Sequence, residues 1–287
     1  MSIAMPVQRL SLWLLLATVA LLCGCRDKQK EAIAKIDPLF DALMPLVERD
    51  TKQVRDGLPK GAALLAKNLD ADPGEDPAGL QRAIQSARAG VQDLEVCKAT
   101  FFVFVDPKGQ ILRSESDPDL AAGSSLTKAV PDAKKFFEAK GLTEAWGSVH
   151  GLRGFEKGDD LQWVLGAPVK GKDGALKGAF VTGWSLRKYA NYLEDHARRH
   201  LTQSAEDPEK PIELLYVLLV KGDKAFGGGM TPDVNVDAVS KLDLVKHAAE
   251  GTYQTKATVE GREFVVAARR VPALAEDVAI VVMISAV

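Results

Sequence analysis

The chain has 287 residues, with 37 Lys and Arg against 39 Asp and Glu, for a net charge of −2. Nothing in so even a balance, with charges mixed along the chain, points to the basic patch that nucleic-acid binding usually calls for, and no nucleic-acid partner is expected. Hydrophobic residues at 46% argue against disorder, and the length suits two packed cores better than one.

Arg9 is the sole charge ahead of Arg26, and the stretch from Leu10 to Cys23 is apolar except for Ser11 and Thr18. Gly24 and Cys25 follow, completing the charged, apolar, small-residue order of an export signal. The ending Leu22-Cys23-Gly24-Cys25 resembles the bacterial lipobox. That resemblance implies removal of residues 1–24 and acylation of Cys25, which becomes the membrane attachment. Cys23 is the poorer choice, because bulky Leu22 would then occupy the cleavage position. An uncleaved anchor is the alternative, although the apolar run falls short of the ~20 residues that span a bilayer. The expected location is the bacterial cell envelope, lipid-anchored and facing the periplasm. Arg26 in place of an acidic retention signal tilts this toward the outer membrane. Cys97 is the remaining cysteine, has no partner for a disulfide, and reads as a small buried hydrophobe.

Residues 25–95 read as a lipid-anchored helical region. Ile33, Ile36, Leu39, Phe40, Leu43, Leu46 and Val47 recur at helical spacing, and Leu80, Ile84, Ala87, Val91 and Leu94 repeat the stripe after a polar break at 70–77. Pro38, Pro45 and Pro59 predict kinks or two shorter helices.

At Ala99 the pattern changes to β. Residues 99–105 form an apolar strand, Asp106-Pro107-Lys108-Gly109 a turn, and 110–114 a second strand. Helical material is expected over 117–140, then strands near 146–155, 161–170 and 176–185, the last two joined by Gly171-Lys172-Asp173-Gly174. An amphipathic helix begins at Leu186, and the acidic, proline-containing stretch 206–211 closes it. A second β pattern follows: a strand at 214–220, a charged glycine turn, a helix over 237–250, and strands near 252–259, 262–270 and 278–286. The expected architecture is α+β: an N-terminal helical segment, then two antiparallel-sheet modules at 96–186 and 212–287, connected by a helix and linker at 187–211.

The repeated order resembles the double-module form of the Cache superfamily, extracytoplasmic relatives of PAS domains. The resemblance is carried by Phe102 to Ser114 as the opening hairpin and by Gly123-Ser124-Ser125-Leu126 as the turn before the ligand-side helix. Gly166-Ala167-Pro168-Val169 with Asp173 to Ala179 resembles the closing hairpin. It implies a sensor domain that binds a small molecule and acts through a partner protein. The Arg-x-Trp-Tyr motif of the amino-acid-binding branch has no counterpart between Asp117 and Trp146, so amino-acid recognition is not expected. The chain stops at Val287 without a membrane exit or output domain, and is expected to need that partner for signalling. The alternative is an envelope interaction lipoprotein that keeps a ligand-free Cache-like fold.

Enzymatic chemistry is not expected. His196 and His200 share a helix face, but Ala197 stands where a zincin has Glu, so no metal is expected. Gly227-Gly228-Gly229 lacks the Lys-Ser/Thr of a phosphate loop and reads as a flexible turn. No nucleophile elbow surrounds any serine, and Asp159-Asp160 and Glu194-Asp195 read as solvated charges. No cofactor is expected. A ligand is placed in the first module, between its sheet and residues 117–145. Trp146, Trp163 and Trp184 would supply aromatic walls, Arg113 an anion partner and His150 a titratable donor. The competing explanation for the tryptophans is that they fill the core.

Overall fold

The computed structural model describes residues 28–69, 72–149, 160–204 and 214–285. Residues 28–34 are helical and lead into α1, Ile36–Asn68, a continuous helix of 33 residues. The expected interruption at the prolines does not occur. Pro38 lies in the first turn, where its missing N–H is not needed. Pro45 and Pro59 are interior, at about 3 kcal/mol each. Against this, Leu39, Phe40, Leu43, Val47, Val54, Leu58 and Leu65 are completely buried, at roughly 1.5–3 kcal/mol apiece. Burial outweighs the prolines. Ile33, assigned to the same stripe, is exposed.

α2 (Pro77–Ala89) opens with proline in its first turn and is capped by Asp76, whose carboxylate accepts the Gly79 N–H at 2.8 Å. α3 (Gln92–Val96) follows. The first sheet holds β1 (Phe101–Val105), β2 (Ile111–Ser114), β3 (Thr143–Gly147), β4 (Gln162–Lys170) and β5 (Leu176–Ser185) in the order β2-β1-β5-β4-β3. The second holds β6 (Leu215–Lys221), β7 (Lys224–Gly227), β8 (Tyr253–Val259), β9 (Arg262–Arg270) and β10 (Val278–Ser285) in the order β7-β6-β10-β9-β8. Every neighbouring pair is antiparallel. Both sheets thus have the same topology, which establishes the two expected modules.

The β1–β2 turn is made by Asp106. Its carboxylate accepts the Lys108 and Gln110 N–H groups at 2.9 and 2.8 Å, and Gly109 takes the left-handed φ of +82° that closes the turn. The helical material expected over 117–140 is confined to 126–138 and divided into short pieces: α4 (Leu126–Ala129), a 3₁₀ turn at Pro131–Lys134 and α5 (Lys135–Glu138). Pro131 disfavours helix at the residue before it. α6 (Leu186–Gln203) is capped by Ser185. In the second module the expected helix starts earlier and is broken, as α7 (Asp233–Ser240), α8 (Leu244–His247) and a 3₁₀ turn at Ala248–Glu250. Asp243, at φ +47°, separates α7 from α8.

One hydrophobic core runs the length of the molecule. It joins the buried faces of α1, α2 and α6 to one face of each sheet. The opposite face of the first sheet is covered by the α4–α5 segment, and that of the second by α7 and α8. This double cover explains why all five residues of β1 and the first six of β6 are buried.

Candidate functional site

The expected ligand face lies between the first sheet and residues 117–145. The loop at its edge is organised by Asp119, whose carboxylate accepts Ser114 Oγ at 2.7 Å, the Ser114 N–H at 2.8 Å, and the Ala121 and Ala122 N–H groups at 3.2 Å. Arg113 Nε lies 3.7 Å from the same carboxylate. Ser125 then caps α4. Beyond the loop, Leu126, Val130, Ala133 and Phe136 are completely buried against Val103, Val105, Val164 and Val181. Phe136 sits directly on Gly166, where any Cβ would collide with the ring. This part of the face is therefore a packed apolar layer.

The tryptophans lie elsewhere. Strand alternation places Trp163 with Leu165 and Ala167, and Trp184 with Thr182 and Phe180; in the structure the five apolar side chains share one core cluster and Thr182 is buried. The cover on that face, however, is α1 and α6, so Trp163 and Trp184 belong to the long core and do not wall a pocket under 117–145. The reason is that both faces of this sheet are apolar, so strand alternation groups the side chains without saying which cover each group meets. Their ring centroids are 4.7 Å apart, and Trp184 stacks on Tyr189 at 4.2 Å. Trp163 Nε1 donates to Glu144 at 2.8 Å, whereas Trp184 Nε1 is buried without a partner. Trp146 is half-buried, with Lys221 Nζ 4.5 Å above its ring. Arg113 is ion-paired at the loop. His150 and Cys25 fall outside the described residues.

The polar groups that do converge lie at the junction of α1, α6 and the two modules, and the sequence reading passed them over. Asp50, fully buried on α1, accepts the Tyr189 hydroxyl at 3.0 Å and Arg49 Nε and Nη2 at 2.9 and 2.7 Å. Burial, with the Asp50 carboxylate adding to it, pushes the Tyr189 phenol well above its ordinary value. One turn further, Arg55 donates to both Glu144 oxygens at 2.6 and 3.0 Å and to the Ala273 carbonyl at 2.5 Å. A signal for Asp50 existed: it falls at helical spacing after Leu43 and Val47, inside the apolar stripe.

Other readings change with the structure. Glu194 is not a solvated charge but is nearly buried. It accepts Arg198 at 2.9 Å and the Val217 N–H at 3.2 Å, tying α6 to β6. His196 lies edge-on to Tyr192 at 4.6 Å, and burial lowers its pKa. Gly227 and Gly228 are not a free turn. A Cβ on Gly228 would fall 2.9 Å from Asn191 on α6, and the Gly227 carbonyl accepts Arg187 Nε at 3.3 Å. Among the described residues, no group of three His, Cys, Asp or Glu is placed to hold a metal ion. No helix among them is long and apolar enough to cross a membrane.

No family model matches the sequence, and a search of curated proteins found no significant relative. Solved structures do share the fold. A domain of a protein described as sensory box/GGDEF family, from Vibrio parahaemolyticus, aligns at TM-score 0.51 and 12% identity, over 91% of this chain and 97% of that one. The extracellular domain of a protein described as the histidine kinase vpHK1S-Z8 aligns at TM-score 0.51 and 12% identity, over 91% and 96%. An extracellular ligand binding receptor from Desulfohalobium retbaense aligns at TM-score 0.50 and 10% identity, over 86% of this chain, which spans only 39% of that receptor's length.

Proposed function

We propose that this chain, which has the two-module Cache-like fold of extracytoplasmic sensor domains, is an envelope lipoprotein that binds a small molecule in its first module and acts through a partner protein. The observation that carries the reading is the extent of the fold. The alignments to the sensory box/GGDEF family domain and the histidine kinase extracellular domain each cover 91% of the chain.

The anchor follows from the lipobox-like ending at Cys25, close before the helical residues 28–34. α1 rises about 50 Å over its 33 residues. Its first turns meet the second module, where Arg269 donates to Asp37 and Asp41 at 3.1 and 3.3 Å. Its last turns meet the first module, where Gly61 lies against Phe180. With Cys25 in the bilayer, the first module and its ligand face are held away from the membrane. The ligand seat is the face beneath 117–145, with Arg113 and His150 as polar partners and Phe136 as the side chain that yields. Neither enzymatic turnover nor a cofactor is part of this reading.

The packed state of that face favours a second reading, a ligand-free interaction lipoprotein. A thermal-shift screen of the full chain against a metabolite library separates the two. A ligand specific for the native state at a hundredfold its Kd adds about 2.7 kcal/mol, and Arg113→Ala is expected to weaken it without lowering the melting point of the free protein. A library without hits, together with unchanged partner capture by Phe136→Leu, supports the second reading and overturns the first.

A further inference from the structure

We propose that β3 couples the two modules, carrying any displacement of the 117–142 segment to the β9–β10 turn at 271–277. The proposal rests on how this one edge strand divides its side chains. Ala145 packs into the layer with Val130, Ala133 and Phe136, and Gly147 lies against the segment so closely that a Cβ would fall 2.6 Å from the Ala129 carbonyl and from Val130. The alternate residues, Glu144 and Trp146, point to the other side, as strand geometry requires.

Both of those side chains reach the same turn of the second module through one cation each. Glu144 holds Arg55, and Arg55 holds the Ala273 carbonyl at 2.5 Å. Trp146 lies under Lys221, and Lys221 pairs with both Asp277 oxygens at 2.6 Å. Asp277 in turn accepts the Gly222 N–H through its carbonyl at 2.9 Å, which joins the β6–β7 turn to the same point. Glu144 also accepts Trp163 Nε1 at 2.8 Å, so β3 cannot shift against β4 without breaking a charge-assisted bond. A shift of the segment is thus passed to β3 as a unit. It reaches 271–277 through two bridges, one of them anchored on α1.

The test is amide hydrogen exchange at 271–277 in the full-length chain, and it needs no ligand, so its outcome is separate from whether the face binds one. Gly166→Ala is the trigger, because the added methyl must push Phe136 and its segment away from the sheet. Exchange at 271–277 is expected to rise about threefold or more in the otherwise unchanged chain. In the background of Arg55→Met with Trp146→Leu, the trigger is expected to add no further rise beyond that background's own baseline. If Gly166→Ala loses native tryptophan emission, Phe136→Leu serves as the milder trigger with the same ratio. No rise at 271–277 in the otherwise unchanged chain, or an equal rise in both backgrounds, overturns the coupling.

Discussion

At the scale of the residue, Asp50 and Tyr189 form the junction's most enclosed polar contact. Arg49 is half exposed and can return to water if Asp50 is removed, but the Tyr189 hydroxyl, nearly fully buried, would lose its acceptor. Asp50→Ala is therefore expected to cost about 1–3 kcal/mol by urea unfolding. The double variant with Tyr189→Phe should cost less than the two single losses added, because no unpaired group is left. Additive losses would show that the contact contributes nothing as a pair. The raised Tyr189 pKa also has a sign. Below about pH 10 the phenol is protonated in both states; above it the unfolded chain releases a proton that the fold retains, so stability falls as pH rises through that value. Tyr189→Phe should flatten this alkaline loss, compared by urea midpoints near pH 9 and pH 11. Cys97 is buried, its Sγ lies 3.2 Å from the Leu94 carbonyl, and burial pushes its thiol pKa up. Alkylation of Cys97 in the native protein should be negligible and should appear on unfolding; ready labelling of Cys97 in buffer, read by peptide mass, would contradict this placement.

At the scale of the element, α1 shows local propensity yielding to packing. Gly61 lies mid-helix, where alanine ordinarily gains about 1 kcal/mol. Here an added Cβ would fall 2.6 Å from Leu94 and 2.9 Å from Phe180, and overpacking of this kind costs about 1–3 kcal/mol. Gly61→Ala is expected to lower the melting temperature, and a rise would mean that the contact relaxes freely. Strand and turn signals were legible because they are local: residues 162–170 and 176–185 form one hairpin, with Gly174 in the turn. The division of the 117–140 helical material into short pieces was not, because it depends on what lies beneath, the apolar sheet face that draws in Leu126, Val130 and Phe136. β7 was missed for a similar reason. It is four residues long and is held by pairing with β6.

At the scale of the whole molecule, the shared core makes a thermodynamic statement. α1 contributes side chains to the packing of both sheets, so neither module can lose its cover without exposing the other's. Tryptophan emission, which among the described residues comes from the first module, and far-UV circular dichroism, which reports both, should unfold in one coincident transition. Two separated transitions would show that the modules are independent. If the proposed lipid anchor at Cys25 holds, Cys25→Ala should leave a product that is soluble or uncleaved, since such an attachment depends on the acyl chains. A variant that matures and stays with the membrane fraction would remove the lipoprotein assignment.

The sequence alone determined the composition class, the two β modules and their hairpins, and the grouping of Trp163 with Leu165 and Ala167. Each of these follows from spacing along one segment, where periodicity and turn residues act over a few positions. What only the tertiary structure decided is which surface each group meets. Two apolar faces of one sheet look alike in a sequence, so alternation could not say that the tryptophans turn to α1 while Phe136 covers Gly166. Nor could spacing bring Arg55, Glu144 and Ala273 together, because their contact is made only when a helix, an edge strand and a turn of the other module pack at one point.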